Sequence, residues 1–151
     1  MARFLMVATL ALSPIEDAIA AVLQRWLSVP FSVAQANCAI DLLDYAETLT
    51  GRTYARRPDR REALRIARDH RGVVEVAADA ALALGCVPIS SGIKRGDMGI
   101  IANAHHRPTA SLCLRAGDDR AAPMMAARGA SGVEIARIEP DHAWRVPCHK
   151  R

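Results

Sequence analysis

Through the first half of the chain apolar residues recur at helical spacing, and from Lys94 onward the period shortens to that of strands. Ser13-Pro14-Ile15-Glu16 combines a serine cap, a proline at the first helical position and a glutamate three residues after the cap. Ile15, Ala18, Ile19, Val22 and Trp26 then mark one apolar face, which predicts a helix ending near Ser28, before Pro30. Asn37 is a preferred cap for a second helix. Ala39, Leu42, Leu43, Ala46 and Leu49 form its apolar face, and Gly51 is its stop. The first helix is expected to pack beside the second. After a basic loop from Arg52 to Arg57, Asp59 and Glu62 repeat the capping pattern and predict a helix over Arg60 to His70, with Gly72 ending it. Val74, Ala77, Ala78 and Ala81 share a face of a further helix over Val73 to Leu84, closed by Gly85. Pro88 to Gly92 reads as a loop.

The second half reads as short strands over Met98–Ile101, Ala110–Leu114, Ala122–Ala126, Val133–Ile138 and Ala143–Val146. Turn residues separate them, notably Arg95-Gly96-Asp97, Gly117-Asp118-Asp119 and Gly129-Ala130-Ser131-Gly132. Helices first and antiparallel strands afterwards predict an α+β domain in which N-terminal helices pack on a C-terminal antiparallel sheet. At 151 residues the chain is long enough for one such domain over 1–151, with an apolar segment at 1–13 and a basic tail at 147–151.

Phe4 to Leu12 is nearly continuous apolar sequence behind Arg3, and Ala18-Ile19-Ala20 supplies a triplet like a signal-peptide cleavage site. Glu16 and Asp17 interrupt that pattern, and the run is far too short to span a bilayer. A buried strand or the apolar start of the first helix accounts for it more simply.

A net charge of +4 implies mild attraction to anionic surfaces. No RNA- or DNA-binding signature accompanies the basic residues, so a nucleic-acid accessory role ranks third among the functions considered. Cys38, Cys86, Cys113 and Cys148 form no C-x-x-C pair, which argues against a zinc ribbon and for free thiols in a reducing compartment. Cys148-His149 reads as a frayed terminal pair, and no metal or cofactor is expected.

Cys38 is the candidate for chemistry. At the first turn of a helix, unpaired backbone N–H groups and the dipole favour a thiolate, which would make it a nucleophile. The alternative is a small buried apolar residue. Asp41, three residues on, would raise the thiol pKa and oppose activation.

A cysteine opening an early helix that packs on a later antiparallel sheet resembles the layout of papain-like hydrolases. More closely, the chain resembles a phage- and prophage-borne, tail-associated branch of the NlpC-type cysteine peptidases. Pro30-Phe31, Cys38 and Thr50-Gly51 match that branch without a gap. Arg95-Gly96-Asp97-Met98 resembles the glycine-aspartate that opens its first core strand. Ala110-Ser111-Leu112-Cys113-Leu114 resembles its next strand, and Ala143-Trp144-Arg145-Val146 its closing strand. The resemblance implies a tail-tip protein in the virion tail, meeting other tail proteins and acting on peptidoglycan through Cys38.

Departures from that pattern point elsewhere. Val33 and Ala34 stand where the family has tryptophan and glycine, and Ala36-Asn37 replaces histidine-aspartate. The position of the family's histidine base is Thr109, which cannot accept a proton from a thiol. His105 and His106 lie just upstream, and a shifted register would bring one to Cys38; the alternative is a solvated loop. His70 reads as a helix-end residue and His142 as a surface-turn residue. Two functions follow: a cysteine hydrolase using Cys38 with His106 or His105, or a structural tail component whose site has decayed.

Overall fold

The computed structural model describes residues 13–32, 37–129 and 132–149, with the His70 side chain left out. The apolar run Phe4–Leu12, the approach to Cys38 at 33–36 and the tail at 150–151 lie outside the described residues. Among the described residues four helices precede a sheet: α1 (Pro14–Ser28), α2 (Cys38–Thr50), α3 (Arg60–Arg68), α4 (His70–Ala83), then β1 (Val87–Pro88), β2 (Met98–Ala102), β3 (Pro108–Arg115), β4 (Met124–Gly129), β5 (Gly132–Arg137) and β6 (His142–Arg145). The fold class is therefore α+β. The sheet is antiparallel throughout, in the order β1-β6-β2-β3-β4-β5.

The caps act where their chemistry puts them. Ser13 Oγ accepts from the Glu16 N–H at 3.3 Å and Asn37 Oδ1 from the Ile40 N–H at 3.0 Å. Gly51 closes α2 in the left-handed conformation at φ +69°. Glu16, however, does not turn back to its own cap. Both its oxygens accept from Arg95 at 2.7 Å, tying α1 to the turn before β2, and this holds the Glu16 carboxyl below its ordinary pKa.

Among the boundaries that differ from expectation, three stand out. The break between α3 and α4 falls at Asp69 and not at Gly72. Asp69 is extended (φ −111°, ψ 112°) and its carboxylate accepts from the Arg71 N–H at 3.0 Å, so it caps α4 and Gly72 lies inside the first turn. Pro88, the expected start of a loop, instead joins Val87 in a two-residue edge strand against Arg145 and Trp144. β4 starts at Met124, later than the expected Ala122. Pro123 has no N–H to give a ladder, and its carbonyl accepts instead from Ile138 N–H at 3.1 Å.

α1 lies against α2 and β5, while α2 and α4 lie against β3. Between helices and sheet sits one core containing Ile19, Trp26, Leu84, Leu112, Cys113 and Met125, all nearly or fully buried. The sheet's centre is covered, so β3 and β4 each read as a run of buried residues and not as a strict alternation.

Candidate functional site

Cys38 is the first residue of α2, and the packing of α2 on the sheet brings its side chain onto β4. The thiol is fully engaged there: Sγ accepts from the Arg128 backbone N–H at 3.2 Å and donates to the Arg128 carbonyl at 3.6 Å. Only 9% of the residue is exposed.

One turn along α2, Asp41 is buried beneath the cysteine, its side chain wholly out of solvent. Its oxygens accept from Arg25 Nε at 2.5 Å, Trp26 Nε1 at 2.9 Å and Arg128 Nη1 at 3.2 Å. A carboxylate between two guanidinium groups and an indole is compensated both in charge and in hydrogen bonds, which is what burial of a charge demands. The cluster clamps α1, α2 and β4 together at the cysteine.

Burial pushes the Cys38 thiol up to about 11, well above its ordinary value of 9.0. Desolvation of the thiolate is the largest cause. The Arg128 N–H works against it, and the Asp41 charge adds to the rise. The expectation that the helix start would favour a thiolate is thus corrected: its N–H contribution is present but outweighed. The opposition expected from Asp41 is present, as a smaller effect than burial.

The two histidines of interest sit in the β2–β3 connection. Asn103 organises it: Asn103 Oδ1 accepts from the N–H groups of His105 (2.8 Å) and Arg107 (3.1 Å), and the Asn103 carbonyl accepts from His106 N–H at 2.9 Å. His106 takes the left-handed conformation at φ +57°. Both residues are exposed, and among the described residues neither imidazole makes a hydrogen bond. A cleft of about 610 Å³ runs between this turn, the start of α2 and strands β4 and β5; Cys38, His105, Thr109, Arg128 and Glu134 line it, and His106 does not. Thr109 stands at the second position of β3, paired with Ile101.

The other histidines stand elsewhere along the backbone. His142 opens β6 and stacks on Trp144 with ring centroids 6.2 Å apart, a strand position and not a surface turn. His70 begins α4 and does not end a helix. His149 is tied down by its N–H to the Leu49 carbonyl at 3.2 Å, so the Cys148-His149 pair is less frayed than expected. Among the described residues no three His, Cys, Asp or Glu side chains are placed to hold a metal. No described helix is long and apolar enough to cross a membrane.

Arg128 is inconspicuous in the sequence, although its backbone holds the cysteine and its side chain the aspartate. Its only signal was a charged residue within a run of small apolar ones, Ala126-Ala127-Arg128-Gly129. Nor does the sequence mark Arg145 as the partner of Asp97. Arg145 Nη2 and Nε reach the two Asp97 oxygens at 2.9 and 3.1 Å, while Asp97 also accepts from the Lys94 N–H, fixing the turn that opens β2.

A family model described as a domain of unknown function, DUF6950, matches residues 12–146. The chain belongs to this family. The matched span runs from just before α1 to the end of β6, so the DUF6950 unit includes the whole Cys38–Asp41–Arg128 cluster and the cleft beside it. No curated protein and no solved structure matches this DUF6950 chain.

Proposed function

We propose that this chain is a structural component of a phage-type tail tip, built on an NlpC-like, papain-like fold whose cysteine site no longer carries out hydrolysis. The virion tail and neighbouring tail proteins come from the resemblance of the Pro30-Phe31, Cys38 and Gly96-Asp97 motifs. The loss of catalysis rests on one observation. The Cys38 thiol is buried, held by both backbone groups of Arg128 and pushed up to about 11, while the candidate bases His105 and His106 stand on an exposed turn. A nucleophilic cysteine needs the opposite: a depressed pKa and a base at hydrogen-bond distance. The test is incubation of the purified chain with bacterial cell-wall sacculi, beside Cys38→Ala and an active wall hydrolase. Wild type and variant are expected to release no more soluble fragments than buffer. Release by the wild type that Cys38→Ala abolishes would overturn the reading.

A second reading has one observation in its favour. Cys38 and His105 line the same cleft, so a shift of the Asn103–Arg107 turn would carry an imidazole toward the sulfur. It predicts cell-wall peptide or amide cleavage that both Cys38→Ala and His105→Ala remove.

A further inference from the structure

The chain's positive charge is concentrated in one place. Residues 52–71 hold eight arginines against three carboxylates, a net of +5, whereas the whole chain carries +4, so everything else sums to −1. The fold lays this segment out as α3 with its two flanks. Arg56 and Arg57 are neutralised there by Asp79, Asp44 and Glu47. On α3 itself the only ion pair among the described residues is Arg65 with Glu62, at a loose 3.8 Å; Arg60, Arg61 and Arg68 have none. Arg61, Arg65 and Arg68 follow at i, i+4 and i+7 and therefore share one exposed helix face. Leu64, 38% exposed, borders the same shallow groove, whose lining of three arginines also includes the Asp59 and Glu62 carboxylates and so keeps a net positive charge. Beneath, α3 buries only Ala63 and rests mainly on α4, so its outward face has no structural task within the described residues.

We propose that this face of α3 is a docking surface for a carboxylate-rich segment of a protein partner. Charge complementarity selects an acidic occupant, and guanidinium forks match carboxylates two-pronged where ammonium groups would not. An apolar side chain in the middle of the arginine row suits a protein interface, which mixes arginine with apolar contacts. A membrane surface would require a wider apolar face than Leu64 alone. Single-stranded nucleic acid fits less well, since the groove offers no aromatic ring for a base to stack on. The inference goes beyond the proposed tail role and stands on separate residues, so a positive cell-wall assay would leave it untouched.

The test uses the full chain and a labelled helical peptide carrying glutamates at i, i+4 and i+7 around a central leucine, with a DNA duplex as the competing probe. Arg61→Gln/Arg65→Gln/Arg68→Gln is compared with Lys94→Gln/Arg115→Gln/Arg120→Gln, which removes equal charge elsewhere. All three variant sites of each set are exposed, and circular dichroism checks that both variants melt with the wild type. The α3 variant is expected to bind the peptide about tenfold more weakly and with a shallower salt dependence, and the control variant to bind like wild type. Equal losses in both variants would reduce the effect to net charge and overturn the proposal. So would DNA binding tighter than peptide binding and lost in the α3 variant, which would assign the face to nucleic acid.

Discussion

Cys38 and Arg128 exchange hydrogen bonds, the N–H of one backbone unit giving to the sulfur and its carbonyl receiving from it. The consequence is chemical. Ionising the thiol would discard the bond to the carbonyl and leave a thiolate in a nearly dry site beside the Asp41 carboxylate. With a pKa of about 11, only about one Cys38 in a thousand is a thiolate at pH 8. Alkylation by iodoacetamide, followed site by site with mass spectrometry, should be far slower at Cys38 than at the half-buried Cys148 at pH 8. Its rate should keep rising beyond pH 10. A plateau at Cys38 below pH 8.5 would reveal an activated nucleophile and contradict the structural reading.

The same shift has a stability counterpart. Cys38, Cys86 and Cys113 are each raised from 9.0 to about 11, desolvation being the first cause in every case. Below pH 9 these thiols are protonated in both the folded and unfolded chain, so their contribution is complete. Above pH 9 the unfolded chain ionises first and gains free energy that the folded chain cannot match, until pH passes about 11. For Cys38 alone the loss across that window is of order 2–3 kcal/mol. Urea denaturation at pH 8 and pH 10.5 should show the midpoint falling, and Cys38→Ala should flatten part of the fall. An unchanged wild-type midpoint over that range would refute the assignment.

Asp41 is the carboxylate on which two arginines and an indole converge. Replacing it with leucine leaves Arg128, 2% exposed at its side chain, as an uncompensated buried charge and strands the Trp26 N–H. The expected cost is about 3–5 kcal/mol, the range found when one partner of a buried ion pair is deleted. Asp41→Asn, which keeps an acceptor oxygen, should cost less. Denaturant titration of both variants measures the difference, and a loss under about 1 kcal/mol for the leucine variant would show that the cluster is dispensable.

How far the sequence disclosed this arrangement depended on the range of the interaction. Ser13, Asn37, Asp59 and Gly51 announced helix ends because a cap acts over three or four residues. The strands around Leu112 and Trp144 were legible because apolar runs bounded by turn residues are local as well. Asp69 prevailed over Gly72 as the α3–α4 break because its carboxylate competes for a backbone N–H, a contest that composition does not decide. The site was legible only at one end. Cys38 could be placed on its helix, but its environment comes from Arg128, ninety residues later, and Trp26, on another helix. Helix-start chemistry suggested an acidic thiol; burial, which is a tertiary quantity, reversed the sign.

Gly96 and Tyr45 meet at the entrance to β2, where the Tyr45 hydroxyl donates to the Gly96 carbonyl at 2.7 Å. Gly96 holds φ +92°, and a β-carbon there would lie 3.0 Å from Ile15 Cγ2 and 3.1 Å from the Tyr45 oxygen. Gly96→Ala therefore combines backbone strain with crowding of two residues that seat α1 and α2 against the sheet, at an expected cost of about 2–4 kcal/mol. Gly92 separates the two effects: its φ is +69°, but a β-carbon there meets nothing within 4 Å. Gly92→Ala should lose only the left-handed penalty, about 1–2 kcal/mol. Thermal melts of the two variants give the comparison. Equal losses would mean that the Tyr45 and Ile15 contacts yield without cost, and that the turn into β2 is not what holds the helices in register with the sheet.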